Sequence, residues 1–343
     1  MNIWDLTFEQ LTEWCKKEAL PGYRARQIFQ WLHKRGIVSW DEMTDLPQSL
    51  RQRLAECFSM DLPTISSRWT DKEDGTEKLL IELADGRAIE SVLIPHAPGS
   101  DEEHTLCVST QVGCGFACRF CATGRMGLVR DLSAGEIVAQ VVLARRLGVN
   151  LKRVVLMGMG EPLHNYDNTM AAIRIICDRE GMGWSPRRIT LSTVGLVPEI
   201  YRLGQEAPGV KLAVSLHGTT DQKRSDLTPI AQVYTLDRLF EALRYYHERD
   251  KRRISFEYLL IRGVNDGLRD AKRLSELLRG LVCHVNLIPY NRVSNLDYYR
   301  PSSPVINRFA EILRDAGIET TIRASRGRSI RGACGQLATD SRR

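Results

Sequence analysis

The spacing of apolar residues changes character twice along the chain. At the N-terminus they recur at helical intervals: Phe8, Leu11 and Trp14, then Ile28, Phe29, Trp31 and Leu32. Pro21-Gly22 and Leu46-Pro47 interrupt this pattern, so the spacing predicts a compact module of short helices. From Ile65 to Pro95 the pattern turns to that of strands. Residues 78–83 and 88–94 flank Asp85-Gly86, a dipeptide that favours a tight turn, and a β-hairpin is expected there.

Beyond His104, short apolar strands alternate with longer helical stretches. Strands are expected at 105–110, 153–157, 189–192, 211–215, 254–260 and 283–288, with a last one near 320–322. Helices between them include 134–147, 168–180, 236–249 and 270–281. Such alternation argues for a parallel sheet with right-handed crossovers. About six units make an α/β fold, a partial (βα)6 barrel related to the eight-fold one. The expected organisation is a helical accessory domain over 1–62, a β-hairpin extension over 63–98, the barrel over 99–329 and a C-terminal tail over 330–343.

Composition narrows the setting. The chain of 343 residues is 43% hydrophobic, enough for a sizeable core, and no apolar run approaches the length of a membrane span. The N-terminus carries Asp5 and no apolar signal core, so a cytoplasmic protein with no membrane partner is expected. The nine cysteines form no regular disulfide framework and fit a reducing compartment. The net charge of +6 gathers in two clusters. One is N-terminal, with Lys16, Lys17, Arg24, Arg26, Lys34, Arg35, Arg51 and Arg53. The other is C-terminal, with Arg323, Arg326, Arg328, Arg331, Arg342 and Arg343. Such clustering suits a phosphate backbone, although solvated charged faces look similar.

The chemistry begins with Cys114, Cys118 and Cys121, spaced C-x3-C-x2-C on one loop. Three thiolates can hold three irons of a 4Fe–4S cluster and leave the fourth open for a ligand. A zinc site would need a fourth ligand, and the nearest upstream histidine is His104, ten residues before the first of these cysteines. The spacing resembles that of the radical S-adenosylmethionine (SAM) enzymes. In them the amino and carboxylate groups of SAM chelate the open iron, and an electron from the cluster splits SAM into methionine and a 5′-deoxyadenosyl radical.

Other polar motifs follow the later strands, where such barrels keep their chemistry. They are Gly158-Met159-Gly160-Glu161-Pro162, Ser192-Thr193-Val194-Gly195, Ser215-Leu216-His217-Gly218 and Pro289-Tyr290-Asn291. Each alone has a plain reading as a turn, a helix cap or a structural histidine. Their succession at one end of the strands predicts a polar rim. A carboxylate such as Glu161 can accept hydrogen bonds from an ammonium there.

The cluster loop, these rims and the tail Ala333-Cys334-Gly335-Gln336-Leu337 together resemble the RlmN/Cfr family of radical-SAM RNA adenine methyltransferases. The resemblance spans nearly the whole chain. It includes Tyr23-Arg24-Ala25-Arg26-Gln27-Ile28-Phe29-Gln30-Trp31 and Asp41-Glu42-Met43-Thr44-Asp45-Leu46-Pro47, and it is closer to the RlmN type. It implies methylation of C2 of an adenine in the peptidyl-transferase region of 23S rRNA, and of an adenine next to the tRNA anticodon. It also implies a cluster on Cys114, Cys118 and Cys121, two SAM molecules per turnover, and an electron donor such as flavodoxin or ferredoxin.

By the same resemblance, Cys334 first takes a methyl group. That group loses hydrogen to the radical and adds to adenine, and Cys107 then attacks the Cys334 sulfur, releasing product and leaving a disulfide. Glu90 would hold the adenine amino edge or accept a proton. Gly160, Glu161, Ser192, Ser215, Leu216, His217 and Asn291 fall on SAM-contact motifs. Read without the family, Cys107 is a buried small hydrophobe, Cys334 an exposed tail cysteine and Glu90 a strand carboxylate. Cys15, Cys57, Cys177 and Cys283 match no functional position. The sequence departs from the family pattern at Asp131, Ala231 and Ser329, which bears on target choice. Two other readings are C8 methylation, as in Cfr-type members, and a non-catalytic RNA-binding module stabilised by metal.

Overall fold

The computed structural model describes residues 1–97 and 103–339. Arg342 and Arg343 of the basic C-terminal cluster, and the end of the predicted tail, lie outside the described residues.

The chain opens with helices α1 (Phe8–Lys17), α2 (Tyr23–Phe29) and α3 (Gln48–Cys57). Thr7 and Gln10 cap α1 reciprocally, which satisfies two backbone donors that the helix itself cannot. A wide turn over Gln30–Arg35 extends α2 and ends at Gly36, in a left-handed conformation. Ile3, Trp4, Leu11, Ile28, Phe29 and Leu32 are buried together, joining the module to the main core.

Three strands follow: β1 (Thr64–Thr70), β2 (Glu77–Glu82) and β3 (Ala88–Pro95). The expected hairpin is β2–β3, turning at Gly86 (φ 77°). β1 adds a third antiparallel strand, at the start of the stretch from Ile65 that reads as strands but outside the expected hairpin. β3 then pairs antiparallel with β4 (His104–Cys107), so the extension is continuous with the main sheet.

The first barrel strand is shorter than the expected 105–110. Gln140 explains the break: its Oε1 accepts from Ser109 N at 2.8 Å and its Nε2 donates to Ser109 O at 2.8 Å. Both backbone groups are thereby taken from the ladder. The chain then forms a separate antiparallel pair, β5 (Gln111–Cys114) with β6 (Gly127–Asp131), flanking the short helix α4 (Ala122–Met126).

The alternating units follow in order: α5 (Ala134–Arg146), β7 (Leu151–Leu156), α6 (Tyr166–Cys177), β8 (Ile189–Thr193), α7 (Val197–Glu206) and β9 (Lys211–Ser215). After them come α8 (Asp221–Leu227), α9 (Leu236–Asp250), β10 (Ile254–Leu260), α10 (Leu268–Leu277), β11 (Cys283–Pro289), α11 (Ser303–Asp315) and β12 (Glu319–Ile322). Among the described residues the large sheet has ten strands in the order β1-β2-β3-β4-β7-β8-β9-β10-β11-β12, and every pair from β4 to β12 is parallel.

This sheet is curled, not flat. Five strand spacings separate β7 from β12, which is about 24 Å in a flat sheet. Yet Arg323, directly after β12, brings Nη1 to 4.0 Å from the sulfur of Met157, directly after β7. The two-residue period then divides each strand. Val154, Leu156, Leu191, Phe256, Val285 and Leu287 pack outward under the helices. Arg153, Val155, Thr190, Glu257 and Asn286 face a central lumen.

Candidate active site

Val112, buried at 4% exposure, and Gly113 start the loop that carries the three cysteines. Gly113 has φ 77°, and a β-carbon there would lie 1.9 Å from the carbonyl oxygen of Gly127, so only glycine lets the β5–β6 pair close. The loop then turns back on itself: Cys121 N donates to Cys118 O at 3.1 Å, and Arg119 N to Leu227 O at 3.0 Å. All three cysteines line one cavity of about 920 Å3, solvent mouth included, together with Gly160, Glu161, Ser192, Ser215 and His217. The polar ends of β7, β8 and β9 are thus brought together with the cysteine loop.

Burial pushes the Cys114 thiol up to about 12 and raises Cys118 and Cys121 as well, with mutual repulsion adding to it. Such thiols ionise only against a strong positive charge, which iron supplies. Among the described residues no three Cys, His, Asp or Glu side chains converge on a single-ion position. A cluster takes one thiolate per iron and needs no such convergence, so this donor set fits a 4Fe–4S group better than a lone ion.

Glu161 is buried at 3% exposure. Its Oε2 accepts from Val194 N at 2.8 Å and its Oε1 from Leu163 N at 3.1 Å. Burial nevertheless lifts the carboxyl to about 7, because these hydrogen bonds and one from the Thr193 side chain do not replace a cation. A ligand ammonium would supply that cation. Gly160 beside it has φ 100°, and a β-carbon would come within 2.6 Å of Gln111, whose Oε1 accepts from Glu161 N. His217 is neutral: burial drops its pKa to about 3, and Nδ1 accepts from Leu259 N at 3.1 Å, leaving the proton on Nε2. Leu216 turns its side chain into the core at 0% exposure, so only its backbone is near the rim.

Cys107 and Cys334 come together although far apart in sequence. They line a second cavity with Cys121, Met157, Asn291 and Arg323. Cys107 is buried and its thiol stands at about 12, raised by burial and by Cys334 and opposed by Arg323. Cys334 is exposed. Its loop is stitched to the cysteine loop, for Ala122 N donates to Gly335 O at 2.8 Å and Thr123 Oγ1 to Leu337 O. It is also docked on the β1–β2 connection: Asp74 accepts from Gly327 N at 2.9 Å and Asp71 from Ser329 N at 3.1 Å. Asn291 Nδ2 donates to Cys334 O at 3.3 Å, while its buried Oδ1 has no hydrogen-bond partner among the described residues. That orphaned oxygen suits a ligand donor.

Glu90 is buried, unlike the usual exposed strand carboxylate. Lys78 Nζ stands 2.9 Å from Oε1, and Ala338 N donates to Oε2 at 2.9 Å. It therefore touches the tail just beyond Cys334, while the two cavities are walled by other residues.

Several contributors escaped the sequence reading. Arg323 was grouped only with the basic tail, yet it enters the lumen between both cysteines, 3.5 Å from Glu257. Its place directly after β12 was the available signal, since chemistry gathers at strand ends. Glu257 sits mid-strand, and Asp71 and Asp74 sit in a remote turn, where nothing local marks them.

A Radical SAM superfamily model matches residues 108–274, and a Ribosomal RNA large subunit methyltransferase N-terminal domain model matches residues 1–60. Proteins named "Probable dual-specificity RNA methyltransferase RlmN" are similar over nearly the full length. That of Clostridium novyi (strain NT) is 42% identical, over 98% of this chain and 97% of its own. That of Symbiobacterium thermophilum is 44% identical, over 98% and 91%. Among solved structures, a radical SAM methyltransferase from Sphaerobacter thermophilus matches with a TM-score of 0.91 and 48% identity, covering 98% of this chain and 99% of that one.

Proposed function

This chain belongs to the RlmN family of radical SAM methyltransferases, and from that membership we propose that it methylates C2 of an adenine in the peptidyl-transferase region of 23S rRNA, and an adenine beside the tRNA anticodon. The ligands we assign to the 4Fe–4S cluster are Cys114, Cys118 and Cys121. SAM is assigned to Gly160, Glu161, Ser192, Ser215, the Leu216 backbone, His217 and Asn291. When bound, the cluster and SAM supply a methyl group and a carbon radical able to remove hydrogen. That chemistry is needed because adenine C2 and the SAM methyl are both electrophilic, so neither can attack the other.

The chain's own residues do the rest. Cys334 carries the methyl group as a thioether on a docked loop. Cys107 resolves the RNA–Cys334 adduct after one electron and the C2 proton have left it: its thiolate forms a disulfide with the Cys334 sulfur as that sulfur's bond to the transferred carbon breaks, and the electron pair left on the carbon takes up a proton to complete the methyl group. The developing thiolate is matched by Arg323, which burial keeps close by. Reductant then restores both thiols by exchange. Glu90 receives the C2 proton, or grips the amino edge, once the base displaces the Ala338 amide from it. The N-terminal module, with its clustered lysines and arginines, is the surface we assign to RNA. The working site is the cytoplasm, where a flavodoxin- or ferredoxin-like donor reduces the cluster. No helix among the described residues is long and apolar enough to cross a membrane.

The observation that carries this reading is the shared cavity of Cys107 and Cys334, next to the cysteine loop. The test is anaerobic: reconstitute with iron and sulfide, add SAM, dithionite and unmodified large-subunit RNA, and analyse nucleosides by mass. The expected product is 2-methyladenosine, absent with Cys334→Ala. Formation of 8-methyladenosine alone would refute the C2 assignment, and 5′-deoxyadenosine without modified RNA would refute the substrate.

A further inference from the structure

The lower half of the barrel lumen takes no part in the chemistry above. At its N-terminal mouth the inward positions are Thr105, Arg153, Thr190, Lys211, Ser255 and His284. Barrels of this class ordinarily fill such layers with branched apolar side chains. Here the polar layer leaves an open cavity of about 1570 Å3, solvent mouth included, roofed by Glu257, Asn286 and Arg323. The outward residues of the same strands are apolar and buried, so the polarity belongs to the lumen and not to strand ends in general.

The charges in this bowl do not balance. Arg187, Arg252 and Arg253 line it as well as Arg153 and Lys211. Glu257, its lining carboxylate, is engaged from above by Arg323 at 3.5 Å and by Asn286 at 2.8 Å. Arg252 faces Asp250 at 3.4 Å, Arg253 pairs with Glu319, and Arg153 lies 3.2 Å from His96. Arg187 and Lys211 make no ion pair among the described residues. Burial lowers the pKa of Lys211, and the nearby Arg153 and Arg253 lower it further. Like charges crowded between low-dielectric walls concentrate a positive potential that an anion relieves.

We propose that the lower lumen is an anion site that takes a small phosphate-bearing molecule, held chiefly by Arg153, Lys211 and Arg253. Guanidinium forks match phosphate oxygens two at a time, and the lysine adds a movable point charge. Arg153 and Lys211 occupy strand positions that face into the barrel. A free phosphate ester can enter such a bowl, whereas a polynucleotide backbone would meet the rim first. The roofing Arg323 also lines the cavity of Cys107 and Cys334, so occupancy below is linked electrostatically to the sulfurs above.

The test is calorimetric titration of the full chain with inorganic pyrophosphate at low ionic strength. Arg153→Glu, Lys211→Glu and the conservative Lys211→Arg are titrated beside it, and thermal midpoints confirm folding. One saturable site is expected, weakened at least tenfold by either glutamate and retained by Lys211→Arg. A terminal mononucleotide phosphate should compete, and the free nucleoside should not. Absence of saturable binding in the unaltered chain would overturn the proposal. So would binding that both glutamate variants leave unchanged, or charge reversals that weaken only RNA binding.

Discussion

Cys107 and Cys334 differ first in exposure: one is buried, the other open to solvent. That difference suits the proposed roles: a methyl acceptor has to reach two ligands, and a resolving thiol is protected by burial from stray oxidants. Cys334→Ala should abolish methylated product while RNA affinity in a filter-binding assay stays within about twofold of the original. Cys107→Ala should stall later, leaving RNA attached to protein as a slow band on a denaturing gel; free methylated RNA from this variant would sink its assigned role. Glu161 makes a different prediction. Its carboxyl titrates near 7 in the fold against 4.5 when exposed, so the folded state prefers the proton. Stability of the cluster-free protein should fall as pH rises from about 4.5 to about 7 and then level off. At about 1.4 kcal/mol per unit, Glu161→Gln should recover up to about 3 kcal/mol above pH 7 and nothing below pH 4.5, read from urea midpoints.

At the scale of single elements, the turn after α2 buries a histidine whose protonation should oppose folding. His33 is fully buried between Trp4 and Phe29, and neither ring nitrogen has a hydrogen-bond partner. Burial, with Arg145 nearby, lowers its pKa to about 3, so below pH 6.5 the proton binds the unfolded chain first and stability falls as pH drops from 6.5 toward 3. His33→Phe should flatten the drop in urea midpoint between pH 6.5 and 4; an unchanged slope would remove His33 from the account. The β1–β2 connection acts as a cradle. Asp71 and Asp74 each hold a backbone N–H of the Cys334 loop, and hydrogen bonds to charged groups are worth about 1.5–3 kcal/mol each. Asp71→Ala with Asp74→Ala should slow methyl loading of Cys334 about tenfold or more, with cluster absorbance unchanged. Legibility varied at this scale for physical reasons. The amphipathic helix α9 announced itself by period. The cradle did not, because an aspartate in a turn looks the same whether it caps its own loop or a distant one. The break after Cys107 was hidden too, since it depends on Gln140, which lies on another element.

For the molecule as a whole, the helical module and the barrel share one buried seam. Trp4 is fully buried, and Asp5 accepts from Gly135 N at 2.7 Å at the start of α5. Trp4→Ala should cost about 3–5 kcal/mol in chemical denaturation, with one transition if module and barrel unfold together. The alternation of strands and helices made the barrel legible, and the succession of polar strand ends made its rim legible. Which side of the lumen each polar residue would face was not. Arg153 and Lys211 stood in the sequence only as strand residues and Arg323 only as part of the basic C-terminus, until the sheet's curl turned all three inward. That curl depends on all its strands at once, so no local stretch records it. The stitching of Ala122 to Gly335 has a consequence for the life of the protein in a cell. A cluster held on that loop, as proposed above, would stiffen its grip on the C-terminal tail. Iron starvation would then do more than silence the enzyme: it would leave that tail open to trimming by proteases, so that the length of the surviving chain becomes a record of the metal supply.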